Sequence, residues 1–270
     1  MGNQPILTDT ITAFGEMECY AVLNNGYHEH GTSIAHGAHV HGCHEIYLNV
    51  SGDVSFFHEN VVYDIEPYDM IVSYPGDVHY CIFHSSCTHG HYCLWLKNDL
   101  VGNFLERRRI RGHIRLSPAD KEHLPKLLQR ITDRGADPFL RAAAMMELLC
   151  MPDVGEDECK NELPSPVDLM LEYIDQHLTT VSGSAELAQA FFVSTATVNR
   201  TFRKHVGLSA AKLIEAKRLS YAEQLLRRDA SVTDACYQSG FSDCSRFIAA
   251  FRRKFGQTPL KYKKDLFDKK

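Results

Sequence analysis

Nowhere in the chain is there a run of about 18 uncharged apolar side chains, so no segment is built to cross a bilayer as a helix. The stretch 1–20 has neither a basic start nor an apolar core, which predicts no secretory signal and a cytoplasmic protein. Basic side chains are scarce where acidic ones are not: residues 1–100 carry 12 Asp and Glu but one base, Lys97. A polyanion is therefore a poor partner for that half. The nine Cys are odd in number and lack a tight framework spacing. They read as reduced thiols, each by default a small buried hydrophobe. No compositional bias points to global disorder or a fibrous repeat.

What is present is unevenly placed. Residues 1–160 have a net charge of −10 and residues 161–270 of +5, against −5 for the whole chain. Eleven of the 15 His lie before residue 92. The 270 residues allow two domains, and this split suggests two with different partners. The basic half is the candidate for a polyanion.

Residues 15–97 read as short strands, with runs at 45–50, 54–57, 60–65, 70–74, 79–83 and 92–96. The breaks are Ser51-Gly52-Asp53, Glu66-Pro67, Pro75-Gly76-Asp77 and 85–90. Short strands at close spacing predict a sandwich or small barrel over 1–97. After Lys97 the pattern turns helical, with helices expected at 118–133 and 138–151 and a dimer interface expected on them. We take 98–151 as a helical linker and dimerisation segment, and the acidic, Pro-containing stretch 152–166 as a flexible linker. From 167 to 270 the spacing predicts seven helices: 167–178, 184–190, 195–206, 210–227, 232–239, 243–255 and 259–267. Ser194, Ser209, Ser231 and Ser242 are the expected N-caps. Gly207 and Gly256 stand where helices must stop.

This half contains a repeat. Val198-x3-Phe202-Arg-Lys-x2-Gly207 matches Phe247-x3-Phe251-Arg-Arg-x2-Gly256. A short helix, a tight turn and a basic second helix make a helix-turn-helix, and two occur here. The joining helix of about 18 residues would be roughly 27 Å long at ~1.5 Å per residue, comparable to one turn of B-DNA at about 34 Å. Its ends can hold two recognition helices in successive major grooves. Thr195, Ala196, Asn199 and Arg200 share one face of the first; Arg pairs with guanine and Asn with adenine. Asp243, Cys244, Ser245, Arg246 and Ala249 flank Phe247 and Phe251 in the second. Arg203, Lys204, Arg218, Arg252, Arg253 and Lys254 are candidates for phosphates, which position a protein without specifying sequence. A lone basic helix is more often a solvated face, Phe202 and Phe251 are core rather than base stackers, and Arg218 could equally be a structural ion pair. The repeat, with matched caps and glycines, outweighs any single residue.

Residues 168–263 resemble the DNA-binding domain of AraC/XylS-type transcription regulators. The resemblance rests on Lys217-Arg218-Leu219-x2-Ala222-x2-Leu225-Leu226 and on Val232-x2-Ala235-Cys236-x2-Ser239-Gly240-Phe241-Ser242. It continues through Phe247, Phe251, Phe255-Gly256-x-Thr258-Pro259 and Tyr262. It implies an all-α domain with two helix-turn-helix units and base-facing positions at Ala196, Asn199, Arg200, Cys244, Ser245 and Ala249. Cys244, Ser245 and Ala249 are small for base reading, so the first unit is expected to carry more of it.

In the acidic half, His39-x-His41-x3-Glu45 is followed after six residues by Gly52, and later by Pro75-Gly76-Asp77-Val78-His79. On a strand His39 and His41 share a face. Three imidazoles and a carboxylate suit a first-row divalent transition metal with open positions. The spacing resembles the two motifs of the cupin barrel, a common sensor in AraC-type regulators, over about 30–96. Ser33, Tyr68 and Phe83 stand where that pattern usually has Gly, Gly and Asn. The same His39, His41, Glu45 and His79 could instead hydrogen-bond a small polar effector. His28, His30, His36, His44, His84, His89 and His91 read mostly as surface or loop residues, and Cys81, Cys87 and Cys93 with His89 and His91 as a candidate thiol or metal sensor. The basic run Arg107, Arg108, Arg109 and Arg111 reads as a solvated face or a partner for the acidic barrel rather than a second DNA site.

The expectation is a β-barrel plus helical domain that binds an effector, a sugar or related metabolite, and controls double-stranded DNA binding by a homodimer, with RNA polymerase as a further partner. The alternatives are a metal- or redox-responsive regulator and, less favoured, a metal-dependent cupin enzyme. The leading reading has no catalytic residues.

Overall fold

The computed structural model describes residues 26–28, 38–59, 61–97, 99–133, 135–151 and 165–267. His30, Ser33, His36, the side chain of His28 and most of the expected linker at 152–166 lie outside the described residues. The chain forms two compact units whose main change-over falls between Asn161 and Glu162, within that stretch.

The first unit holds eight strands: β1 Gly26–His28, β2 His44–Ser51, β3 Val54–His58, β4 Val61–Asp64, β5 Met70–Ser73, β6 His79–Phe83, β7 Cys87–Leu96 and β8 Gly112–Ile114. They make an antiparallel five-stranded sheet, β1-β7-β2-β5-β8, and a three-stranded one, β4-β3-β6. Strand alternation sorts the side chains. Tyr47 and Ile71 from the larger sheet meet Val54, Phe56 and Phe83 from the smaller. Ile46, Leu48, Met70, Val72, Leu94 and Leu96 face the other way. There α1 Asp99–Arg108, α2 Pro118–Thr132 and α3 Pro138–Cys150 cover them with Leu105, Leu124, Leu128, Met145 and Leu148. The segment 98–151 is thus the second half of the barrel's core, not a separate linker: β2 and β5 are buried on both faces and need a cover on each.

Two local expectations need correction. The break at 85–90 is the start of β7. The basic run is solvated as expected, and Arg107 and Arg108 also close α1, where they favour the negative end of the helix dipole. The short β8 was not foreseen; three residues carry too little pattern.

A buried polar knot joins these layers. The Asp69 carboxylate, fully buried just before β5, lies 2.9 Å from His113 Nε2 on β8 and 2.8 Å from Lys121 Nζ on α2, and accepts from the Glu66 amide at 3.0 Å. Burial by itself would raise the carboxyl, but the hydrogen bonds from His113, Lys121 and Glu66 outweigh it and hold the group at about 2.

The second unit is helical: α4 Pro166–Gln176, α5 Ser184–Ala190, α6 Thr195–His205, α7 Ala210–Arg227, α8 Val232–Gln238, α9 Cys244–Phe255 and α10 Pro259–Phe267. Ser194, Ser209 and Ser231 each accept a hydrogen bond from a backbone amide three residues on. Asp243, rather than Ser242, caps α9, accepting from the Arg246 amide at 2.7 Å. A carboxylate at a helix N-terminus gains from the dipole as well as the hydrogen bond. Gly256 ends α9 in the left-handed region at φ 75°.

Candidate nucleic-acid interface and sensor site

Val198 and Phe202 are fully buried on one side of α6. Their burial turns Thr195, Ala196, Arg200, Arg203 and Lys204 outward, all exposed. Asn199 is half-buried, and its Oδ1 accepts from Ser184 Oγ at 3.1 Å, which holds the amide at the edge of the same face. The turn before α6 carries Phe192, 97% exposed and left-handed at φ 54°.

In the second unit Phe247 and Phe251 are fully buried, and Ser245, Arg246, Ala249, Arg252 and Arg253 are exposed. The Cys244 side chain turns inward instead. It is half-buried and packs against the apolar cluster that contains Cys236. The expected base-facing role of Cys244 is therefore withdrawn: the first residue of α9 abuts α8, so its side chain seats against the domain core.

Three phosphate candidates are spent internally. Arg218 donates from Nε to the Leu178 carbonyl at 2.8 Å and from Nη2 to the Val181 carbonyl at 2.7 Å. It braces α7 against the end of the α4 segment, and burial lowers its pKa. Lys254 Nζ donates to the Ala216 carbonyl at 3.1 Å. Arg253 pairs with Glu215 at 2.6 Å on an open surface, a pair worth little. Arg200, Arg203, Lys204, Arg246 and Arg252 make no side-chain pair recorded among the described residues and face outward.

The family's terminal Tyr has a physical role here. Tyr262 packs its ring edge-on to Phe251 and beside Phe255. Its hydroxyl donates to Glu223 and accepts from Arg227 at 2.8 Å. Burial first, then Glu223, raises its pKa well above the usual range.

Three of the four predicted ligands come together. One ligand atom each from His39, His41 and His79 lies within 4.8 Å of the others, with His79 buried and the other two half-buried. The His39 and His41 rings meet edge-on at 5.0 Å. Glu45 stands beside this group, with Oε1 3.6 Å from His79 Nε2. Its other oxygen accepts the Trp95 indole hydrogen at 2.5 Å. Three imidazoles that close suit a first-row divalent cation, with the carboxylate orienting one of them.

The rows beyond Glu45 escaped the sequence reading. Alternate residues of β2 (Glu45, Tyr47, Asn49) and of β7 (His89, His91, Cys93, Trp95) line the space between the sheets, as their cross-strand register requires. Tyr47 Oη and His89 Nε2 are 2.7 Å apart, and the His89 ring stacks on His91. His89 and His44 are buried and His91 half-buried, which corrects their surface reading; His84 is exposed as expected. The signal was a period of two in a strand whose first half looked like a turn. The Asn49 amide and Ser73 hydroxyl are buried there with no hydrogen-bond partner. Burial raises the Cys81 thiol to about 12 and raises Cys93 well above its ordinary range. Protonated thiols are poor nucleophiles and ligands, which argues against a thiol sensor inside the barrel.

A family model described as AraC-like ligand binding domain matches residues 25–149, and one described as Helix-turn-helix domain matches 187–265. The HTH-type transcriptional activator RhaS of Escherichia coli (strain K12 / DH10B) is 27% identical over 155 residues, 55% of this chain and 56% of the relative. The chain therefore spans about half the length of the curated relatives it matches. Among solved structures, ToxT from Vibrio cholerae is 13% identical with a TM-score of 0.40, covering 96% of this chain and 98% of that one. The DNA-binding domain of AdpA in complex with a target DNA is 24% identical with a TM-score of 0.38, covering 40% and 97%.

Proposed function

Because this chain belongs to the AraC-type transcription regulators, with a ligand-binding domain ahead of a helix-turn-helix domain, we propose that it reads a bipartite DNA site under control of a small effector held between its two sheets. The observation that carries this reading is the pair of helix-turn-helix units whose second helices, α6 and α9, bury one face and turn basic residues outward. They are joined by the 18 residues of α7. Arg200 would read a base, with Asn199 beside it. Arg203, Lys204, Arg246 and Arg252 would neutralise phosphates. Ser245 and Ala249 offer little hydrogen bonding, so the first unit would carry most of the discrimination.

Between the sheets, Glu45, Tyr47, Asn49, Ser73 and His89 supply donors and acceptors among aromatic rings, which suits a small hydroxylated metabolite such as a sugar. The barrel would bind its ligand without turning it over. The effector must favour one arrangement of the regulator by differential affinity, since equal binding shifts nothing. A homodimer would supply avidity on paired sites, and RNA polymerase would be the downstream partner. No described helix is long and apolar enough to cross a membrane.

Arg200→Ala is expected to cost about 1–3 kcal/mol of operator affinity and to relax the preference at one base pair. Arg252→Ala is expected to weaken all sequences alike and to flatten the salt dependence. Fluorescence anisotropy on matched and mismatched duplexes at two salt concentrations checks both. An Arg200→Ala variant with unchanged affinity and specificity would remove α6 from the groove.

The imidazole trio favours a second reading, in which a divalent metal is the effector or part of its site. His39, His41 and His79 would hold the ion, and Glu45 would orient His79. Metal content per chain on untagged protein, beside a variant with His39 and His41 both changed to Ala, tests it. Near-stoichiometric metal that the variant loses is the expected result. A wild-type chain that stays metal-free after reloading leaves the organic effector alone.

A further inference from the structure

The Asn199 amide is engaged before any DNA arrives. Asn199 lies on the second turn of α6, half-buried, next in the chain to the buried Val198 and the exposed Arg200. Its Oδ1 accepts a hydrogen bond from Ser184 Oγ at 3.1 Å. Ser184 is half-buried too, and it opens α5, the first helix of the same helix-turn-helix. The first backbone N–H groups of a helix lack intrahelical acceptors, so the carbonyl end of the amide is favoured there over its NH2 end. Among the described residues the Asn199 side chain makes no other hydrogen bond, which leaves it the two Nδ2 hydrogens to offer.

We propose that Ser184 is a positioning residue that makes Asn199 a reader of guanine and turns it away from adenine. The proposal rests on the DNA-binding reading above. In the major groove adenine shows an acceptor at N7 and a donor at N6, and guanine shows acceptors at N7 and O6. An Asn amide pairs bidentately with adenine when Oδ1 accepts from N6 while Nδ2 donates to N7. Ser184 already draws on that Oδ1. An adenine amino group would have to share the oxygen or displace the hydroxyl, and an acceptor shared by two donors makes two weaker bonds. Guanine asks nothing of Oδ1: its N7 and O6 both accept, and Nδ2 has two hydrogens to give. Cytosine presents an amino donor, and thymine a single acceptor beside a methyl group, so neither matches guanine.

Ser184 need not touch a base for this. It acts through the orientation of the Asn199 amide, which without the hydroxyl would be set by the base alone. Removing the hydroxyl returns Oδ1 to the groove and restores the adenine pairing. Arg200, the next residue and exposed, favours guanine as well. The contribution of Asn199 is separable from it, because the base pair whose preference vanishes in Asn199→Ala is the one that Asn199 reads.

The test uses the full chain and duplexes enriched from a random pool by the native protein, Asn199→Ala, Ser184→Ala and Ser184→Thr. The position scored is the one whose base preference disappears in Asn199→Ala. There the native chain is expected to prefer guanine over adenine by about fivefold or more, the discrimination that one good base contact supplies. Ser184→Ala should lose that margin and gain adenine at that position alone. Ser184→Thr, which keeps the hydroxyl, should keep the native profile. A native preference for adenine at that position, or no position that depends on Asn199, overturns the proposal; neither result involves a Ser184 variant or its folding. An unchanged profile in Ser184→Ala, with or without a uniform loss of affinity, also overturns it, since a merely structural Ser184 would weaken all duplexes alike. If the native chain enriches no duplex, the DNA-binding reading fails and takes the proposal with it, whereas enrichment with the wrong profile strikes the proposal alone.

Discussion

Phe251→Ala is expected to destabilise the helical unit by about 3–5 kcal/mol and to abolish DNA binding without touching a groove-facing residue. The Phe251 ring is fully buried. It meets Phe247 at 5.7 Å, Phe255 at 4.3 Å and Tyr262 at 5.5 Å between ring centroids. Removing it leaves a cavity that three rigid rings cannot close, so the lost transfer energy and the cavity term add. It also frees the ring of Tyr262, whose hydroxyl bridges Glu223 and Arg227. A unit of this size has a total stability of roughly 5–15 kcal/mol, so the loss is a large fraction. In denaturant the two units need not melt together. The expected trace shows an early transition from the helical unit with the β-rich one unchanged. Phe251→Leu should recover most of the loss. A shift below about 1 kcal/mol for Phe251→Ala would mean that the core collapses around the gap, contrary to the packing described.

Asp69→Ala carries the second-largest expected effect, a loss of about 3 kcal/mol in the β-rich unit. The substitution strips His113, itself buried, of its partner and leaves Lys121 with only Glu66, 3.5 Å away and exposed. Because Lys121 can turn to that carboxylate and to water, the cost should sit at the low end for a broken buried pair. The same group governs acid stability. Its folded-state value of about 2 lies below the unfolded value of about 3.9. Its stabilising contribution is therefore complete above about pH 4 and is lost as pH falls from about 4 to about 2. Asp69→Asn, which keeps the shape without the charge, should flatten the stability curve of this unit across that window. Chemical melts at a series of pH values check this, and an unchanged acid slope in Asp69→Asn would rule out Asp69 as its source.

The helical half was legible because its signals are local. A Ser or Asp at an N-cap, a Pro at the first helical position and a Gly after the last act within one turn. The predicted bounds of α5, α7 and α10 agree with the structure, and the remaining helices of that unit differ by no more than two residues at either end. The two recognition helices were visible for the same reason: Val198 with Phe202 and Phe247 with Phe251 mark one buried face, and the opposite face follows from helical geometry. The barrel was legible as strands, but its interior was not. The period of two along 87–96 is clear only once His89 and Gly90 are known to be strand and not turn.

Sequence by itself determined the two-unit division, the antiparallel and helical classes, the outward basic faces of α6 and α9, and the gathering of His39, His41 and His79. These depend on spacing along the chain, and a regular element converts spacing into a shared face. Tertiary structure alone decided the direction of single polar side chains. Arg218 could have met a phosphate, yet the Leu178 and Val181 carbonyls claim it. Cys244 could have faced a groove, yet it packs against the apolar cluster that holds Cys236 and Phe247. The partners of Asp69 showed no pattern at all: His113 and Lys121 reach it from a strand and a helix far along the chain. A buried polar group must be partnered wherever a partner can be brought, and which one arrives depends on how distant segments pack, which no local spacing records.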